Sequence, residues 1–88
     1  MATEDSLIDF PSAFPIKVMG AHVEGFEEAM VSIVRQFDAA FDTRTIERRS
    51  SKAGNYMGLT LTITATSRAQ LDEVYRTLST HPMVKVAL

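Results

Sequence analysis

An α+β sandwich, one four-stranded antiparallel sheet with two helices on one side of it, is the fold class this sequence predicts. Three observations carry the prediction. Residues 55–66 alternate apolar and hydroxyl side chains at a period of two, the pattern of a strand with one buried face. Two other segments repeat apolar residues at spacings of three and four, the stripe of an amphipathic helix. The elements follow one another as β-α-β-β-α-β, and two right-handed crossovers in so short a chain bring both helices to the same face.

The elements are read in order. Residues 1–12 are polar and acidic and end in Phe10-Pro11-Ser12, which predicts a flexible N-terminal arm with Leu7, Ile8 and Phe10 available to dock on the domain or a neighbour. Residues 13–88 form the single domain. Phe14, Ile16 and Val18 share one face of a first strand, Lys17 and Met19 the other, and Gly20 closes it. Val23, Phe26, Met30, Ile33 and Phe37 mark a helix over residues 25–40, with Glu24, Glu27 and Glu28 complementing the dipole at its start and Arg35 toward its end. Residues 42–52 are charged and β-branched with one apolar side chain, as suits an edge strand guarded against mispairing. A turn containing Gly54 leads into the central strand, where Leu59, Leu61 and Ile63 face the core and Thr60, Thr62 and Thr64 face away. Ser67 caps the second helix with Gln70 in the capping-box position, and Leu71, Val74, Tyr75 and Leu78 form its stripe. That helix stops near Thr80, before His81-Pro82. Val84, Val86 and Leu88 then alternate with Met83, Lys85 and Ala87 in a last strand.

This is the ferredoxin-like arrangement, with strands one and three central and two and four at the edges. Its open face should carry Lys17, Met19, Thr60, Thr62, Thr64 and Lys85.

Composition narrows the function classes. A chain of 88 residues builds one thin core and leaves little room for a large internal cofactor cavity, so no cofactor is expected. The absence of cysteine removes disulfides, thiolate metal sites and cysteine nucleophiles. The first ten residues are acidic where a signal peptide is basic, and no apolar run is long enough to span a membrane, so a cytoplasmic location without membrane contact is expected. A net charge of -2 argues against strong non-specific nucleic-acid binding.

Candidate chemistry is sparse. His22 and His81, the only two histidines, fall at the same end of the predicted sheet, but no acid stands beside either at a recognisable spacing. Neither a catalytic nor a metal site is expected. Acylphosphatases share this fold and place an arginine in the loop after the first strand, whereas here that loop runs Met19-Gly20-Ala21-His22-Val23-Glu24-Gly25 and Asn55 stands alone. RNA recognition modules put stacking aromatics on the open face, where this chain offers lysine, methionine and threonines, with Tyr56 at the strand entrance. Arg44, Arg48, Arg49 and Lys52 could grip phosphates, although a solvated protective edge is the commoner meaning of such a run. Lys17 and Lys85 on neighbouring strands would repel unless an anion, the acidic residues Glu4, Asp5 and Asp9, or a second subunit lies between them.

Phe10-Pro11, Phe14-Pro15-Ile16-Lys17-Val18-Met19-Gly20, Ser50-Ser51-Lys52-Ala53-Gly54-Asn55-Tyr56 and Thr62-Ile63-Thr64-Ala65-Thr66 together resemble the YbeD-like family of small bacterial proteins, over about residues 7–88. The chain departs from it in placing Ala53 between the lysine and the glycine of the turn. The resemblance implies a fold similar to the ACT-type regulatory domain, which binds amino acids at subunit interfaces. It also implies a metabolic setting, since genes of the family often neighbour that of the octanoyltransferase of lipoate synthesis. No catalytic or ligand residue is established for the family, so none is carried over. By analogy with ACT domains, Gly20, Ala21, His22 and Gly25 and the facing dimer edge are the places to look for a ligand.

The expectation is therefore a non-catalytic regulatory or binding module whose partners are a second copy, a metabolic enzyme or a small-molecule effector. Its interaction surface is drawn from Lys17, Thr60, Thr62, Thr64, Lys85, Arg48, Arg49 and Lys52. The alternative is a nucleic-acid binder using the basic hairpin and, after it, a small enzyme.

Overall fold

The computed structural model describes residues 9–88, so Leu7, Ile8 and most of the predicted arm lie outside the described residues. Four strands, β1 (Ser12–Ala21), β2 (Glu47–Ser50), β3 (Tyr56–Ala65) and β4 (Val84–Ala87), and two helices, α1 (Phe26–Phe37) and α2 (Arg68–Ser79), occur in the predicted order. The sheet is antiparallel with strand order β2-β3-β1-β4, so the two long strands are central and the two short ones form its edges. This is the α+β ferredoxin-like fold.

Alternation within β1 and β3 sets the two faces. Ile16, Leu61 and Ile63 are 0% exposed and meet Met30 and Val34 of α1 and Leu71, Val74 and Leu78 of α2 in one core. Phe14 adds an edge-to-face contact with Tyr75, ring centroids 6.5 Å apart. Burial there raises the Tyr75 hydroxyl pKa. Phe10, just before β1, also packs against this core.

Local differences from the sequence reading have physical causes. Helix α1 is shorter than residues 25–40: Gly25 takes a left-handed conformation (φ 89°) at its start, and Asp38 is extended at its end. The edge strand begins only at Glu47, because the Asp42 carboxylate accepts from the Arg44 N–H and closes a 3₁₀ turn over Thr43–Thr45, while Phe41 and Ile46 anchor that segment in the core. Ser67 caps α2 as expected, its hydroxyl accepting from the Gln70 N–H. The Gln70 side chain, however, reaches past the cap: Oε1 accepts from the Thr66 N–H and Nε2 donates to the Phe37 and Thr64 carbonyls. Asp38 accepts from the Thr64 N–H at 2.9 Å. Asp38 and Gln70 thus satisfy the outer edge of β3 beyond the point where β2 stops.

The largest departure is in β4. Val18 pairs with Ala87 and Met19 with Val86, but Gly20 pairs with Val84, so Lys85 is an extra residue in a β-bulge. The bulge breaks the predicted alternation: Val84 and Ala87 pack against the core, whereas Val86 and Leu88 turn to the open face. Val84, Val86 and Leu88 therefore do not share a face.

Candidate functional site

The open face of the sheet is built from two rows of side chains running across the strands. The first row is Arg49, Gly58, Met19 and Val86, cross-strand partners from β2 to β4. The second is Glu47, Thr60, Lys17 and Leu88, the last joined to Lys17 by reciprocal backbone hydrogen bonds of 3.0 and 2.7 Å. Together they line a depression of about 550 Å³. Met19 (47%), Val86 (45%), Leu88 (71%) and Tyr56 (41%) are four of the five large hydrophobic side chains left exposed among the described residues, the fifth being Val23 in the loop before α1.

Along β3 this surface is a trough. Its floor is Gly58 and Thr60; its walls are Met19, Lys17 and Pro15 of β1 on one side and Arg49 and Glu47 of β2 on the other. Tyr56 stands at one end, with the Lys85 Nζ 5.7 Å from its ring centroid. Lys85 is the extra residue of the bulge, and the contact sets its charge beside the Tyr56 ring. Gly58 makes the floor open: a Cβ placed there would find its nearest neighbour 3.6 Å away, in ordinary contact.

Cations adjacent in sequence do not stay together in space. Arg49 pairs with Gly58 on the open face, but Arg48 pairs with Leu59 and points to the helix side, where its guanidinium makes a two-pronged ion pair with Glu27 of α1 at 2.5 and 2.7 Å. That hydrogen bonding to Arg48 is the main reason the Glu27 carboxyl titrates below its ordinary range. Arg44 is held in the same way by Asp42, whose carboxyl is also lowered. Lys52 lies exposed in the turn between β2 and β3. Arg44, Arg48, Arg49 and Lys52 therefore form no single basic surface.

The loop grouped as Gly20, Ala21, His22 and Gly25 is built mainly for packing. Gly20 is buried; a Cβ there would come within 2.5 Å of the Phe26 ring and closer still to the Met83 carbonyl oxygen. Ala21 ends β1 opposite Tyr56, and Gly25 supplies the left-handed entry to α1. His22 is tied to the β2–β3 hairpin, its N–H donating to the Asn55 carbonyl at 3.0 Å and its Nδ1 lying 3.1 Å from the Gly54 carbonyl. Its Nδ1 must then carry the proton, since a carbonyl only accepts. The His81 Nδ1 instead accepts from the Met83 N–H at 3.1 Å, inside its own turn. The described residues contain no group of three His, Cys, Asp or Glu side chains that could hold a metal ion. They contain no helix long and apolar enough to cross a membrane.

Of the residues singled out from sequence, Lys17, Thr60, Thr62, Thr64, Lys85 and Arg49 belong to this open face, Thr62, Thr64 and Lys85 lying outside the depression itself. Arg48 belongs to the other side. Val86 and Leu88 were missed because only strand pairing reveals the bulge. Gly58 carried a signal, since a glycine inside a strand pattern marks a bulge or a close approach.

Comparison with known proteins places the chain. Residues 5–88 match a family model described as a protein of unknown function (DUF493). A UPF0250 protein of Leptothrix cholodnii is 67% identical over 85 residues, covering 97% of this chain and 93% of the relative. UPF0250 proteins of Bordetella parapertussis, 56% identical with the same coverage, and Nitrosomonas europaea, 51% identical over 98% of this chain and 99% of the relative, extend the similarity. The chain belongs to the DUF493/UPF0250 family, the YbeD-like family of bacterial proteins.

Proposed function

We propose that this chain is a non-catalytic regulatory or binding module whose recognition surface is the open face of the sheet. One observation carries the reading. The sheet whose helix side is sealed in the core presents on its other side Met19 of β1, Val86 of β4 and the adjoining Leu88 to solvent, beside Lys17 of β1 and Arg49 of β2, and neither of these two cations has an ion-pair partner among the described residues. Exposed apolar side chains rimmed by charge are what a recognition surface requires. Nothing in the fold demands them there.

The occupant in this reading is a metabolite or an enzyme of central metabolism, the setting implied by the family. A nucleic-acid role for the hairpin has less support, because Arg48 and Arg44 are already committed to Glu27 and Asp42.

A thermal-unfolding screen against amino acids, organic acids and candidate enzymes finds the occupant. A ligand at a hundred times its dissociation constant adds about 2.7 kcal/mol, which moves the midpoint of a domain this size by roughly 10 °C or more. Amide chemical-shift mapping with that ligand then tests the surface. Perturbations along Met19, Arg49, Gly58, Thr60 and Val86 are the expected result. Perturbations confined to the loop at Gly20–Gly25 or to the outer faces of the helices overturn it.

A further inference from the structure

The open face is not built to meet a copy of itself. Among the described residues it carries three cations, Lys17, Arg49 and Lys85, against one anion, Glu47, in a chain whose net charge is -2. Two such faces stacked together would bring like charges into a partly desolvated interface, which is costly. An acidic surface meets them with attraction.

The kind of element that fits follows from backbone hydrogen bonding. An extended peptide needs a sheet edge to satisfy its N–H and C=O groups. Both edges here are guarded, β2 by four exposed residues that include Glu47, Arg48 and Arg49, and β4 by the bulge at Lys85. A helix satisfies its own backbone and can lie on a surface made only of side chains.

Gly58 adds an independent observation. It has no positive φ, and a Cβ there would meet nothing closer than 3.6 Å, so neither backbone conformation nor packing within the domain calls for glycine. A glycine inside a strand costs roughly 0.5–1 kcal/mol relative to alanine. Close approach by a ligand or another backbone is a use that fits. The two-walled part of the trough runs from Gly58 to Thr60, about 7 Å at strand spacing, the length of about four to five helical residues, and the open face continues past it over Thr62.

Resting on the open-face reading above, we propose that the trough over β3 receives an acidic amphipathic helix of a partner protein. Its apolar stripe lies over Gly58 and against Met19 and Val86. Its carboxylates flank that stripe and meet Arg49 on one side and Lys17 and Lys85 on the other. A small ligand is a poorer fit, because a trough on an open sheet face cannot enclose most of its surface.

The test places the photo-crosslinking residue p-benzoylphenylalanine at Thr60 in the full chain, in its native host, and sequences the crosslinked peptides by mass spectrometry. The expected adduct is a segment with apolar residues at spacings of three and four and acidic residues beside them. Its yield should fall at least tenfold in the double variant Lys17→Glu/Arg49→Glu and in Gly58→Val, and should be unchanged in Lys52→Glu, none of these variants having a Tm below that of the wild type. The synthetic peptide should bind the purified protein with an affinity that weakens at least tenfold from 50 to 300 mM salt. Adducts to a second copy of this chain, adducts to a non-acidic segment, or yields indifferent to the charge reversals overturn the helix and leave the open face as the recognition surface. No adduct at Thr60, with the same probe at exposed Ser32 on α1 reacting, overturns both.

Discussion

Gly20 and Gly58 lie on neighbouring strands, one residue out of register with each other, yet a side chain added to each would point to opposite sides of the sheet. At Gly20 the space is gone: the Phe26 ring and the Met83 backbone occupy it. At Gly58 a Cβ would be accommodated, in ordinary contact with backbone oxygens at 3.6 and 3.9 Å. The difference shows which face is finished within the domain and which is not. On the helix side Ile16, Val18 and Gly20 of β1 and Leu59 to Ala65 in alternation along β3 answer to close packing, where even one methyl group is felt. On the open side charge, hydroxyl and apolar groups stand together with no such constraint.

Variants on the two faces should separate sharply in stability. The largest contrast is between adjacent residues of β3. Leu61→Ala removes a fully buried side chain and should cost about 2–5 kcal/mol, whereas Thr62→Ala on the open side should stay within about 0.5 kcal/mol; urea unfolding measures both. Next is Gly20→Ala, expected to destabilise by about 3 kcal/mol because the obstructing atoms include backbone that cannot swing aside. Its counterpart Gly58→Ala should stabilise by roughly 0.5 kcal/mol or more, through the lower entropy of the unfolded chain and the better strand propensity. A loss of stability at Gly58→Ala would mean that the open face is more tightly constrained than its geometry shows.

The smallest effect sharpens the same contrast electrostatically. The Glu27 carboxyl has a folded pKa below its unfolded value of about 4.5, so the stability it contributes is present above that pH and is lost as pH falls through the folded value. Arg48→Ala should therefore flatten the acid limb of Tm measured from pH 6 to pH 3. Arg49→Ala, on the other face, should leave its slope unchanged. Asp42, lowered by Arg44, contributes to that limb in all three proteins. Parallel curves for Arg48→Ala and the wild type would mean that the pair with Glu27 does not persist in solution.

Much of this was legible residue by residue. The alternation of residues 55–66 identified β3 and its buried side, and Ser67 with Gln70 marked the start of α2. The composite of Lys17-Val18-Met19-Gly20 and the hairpin turn pointed to the family to which the chain belongs. The candidate surface was only half legible. Arg48 and Arg49 look like one cluster when counted along the chain, although consecutive strand residues point to opposite faces and a strict period-two reading would have parted them. Val86 and Leu88 gave no such warning. Their exposure follows from one extra residue in β4, visible only against the partner strand β1.

The sequence by itself determined the order of the elements, the inward faces of the two central strands and the start of the second helix. These rest on local geometry: the alternation of side chains along a strand, the turn of a helix and the reach of a capping hydroxyl. Only the tertiary structure decided that Lys85 would be squeezed into a bulge, that Arg48 would cross to Glu27, and that Gly58 would leave room for a side chain between Arg49 and Met19. Each depends on register between residues far apart in the chain, and a shift of one residue reverses the face that every side chain of a strand presents.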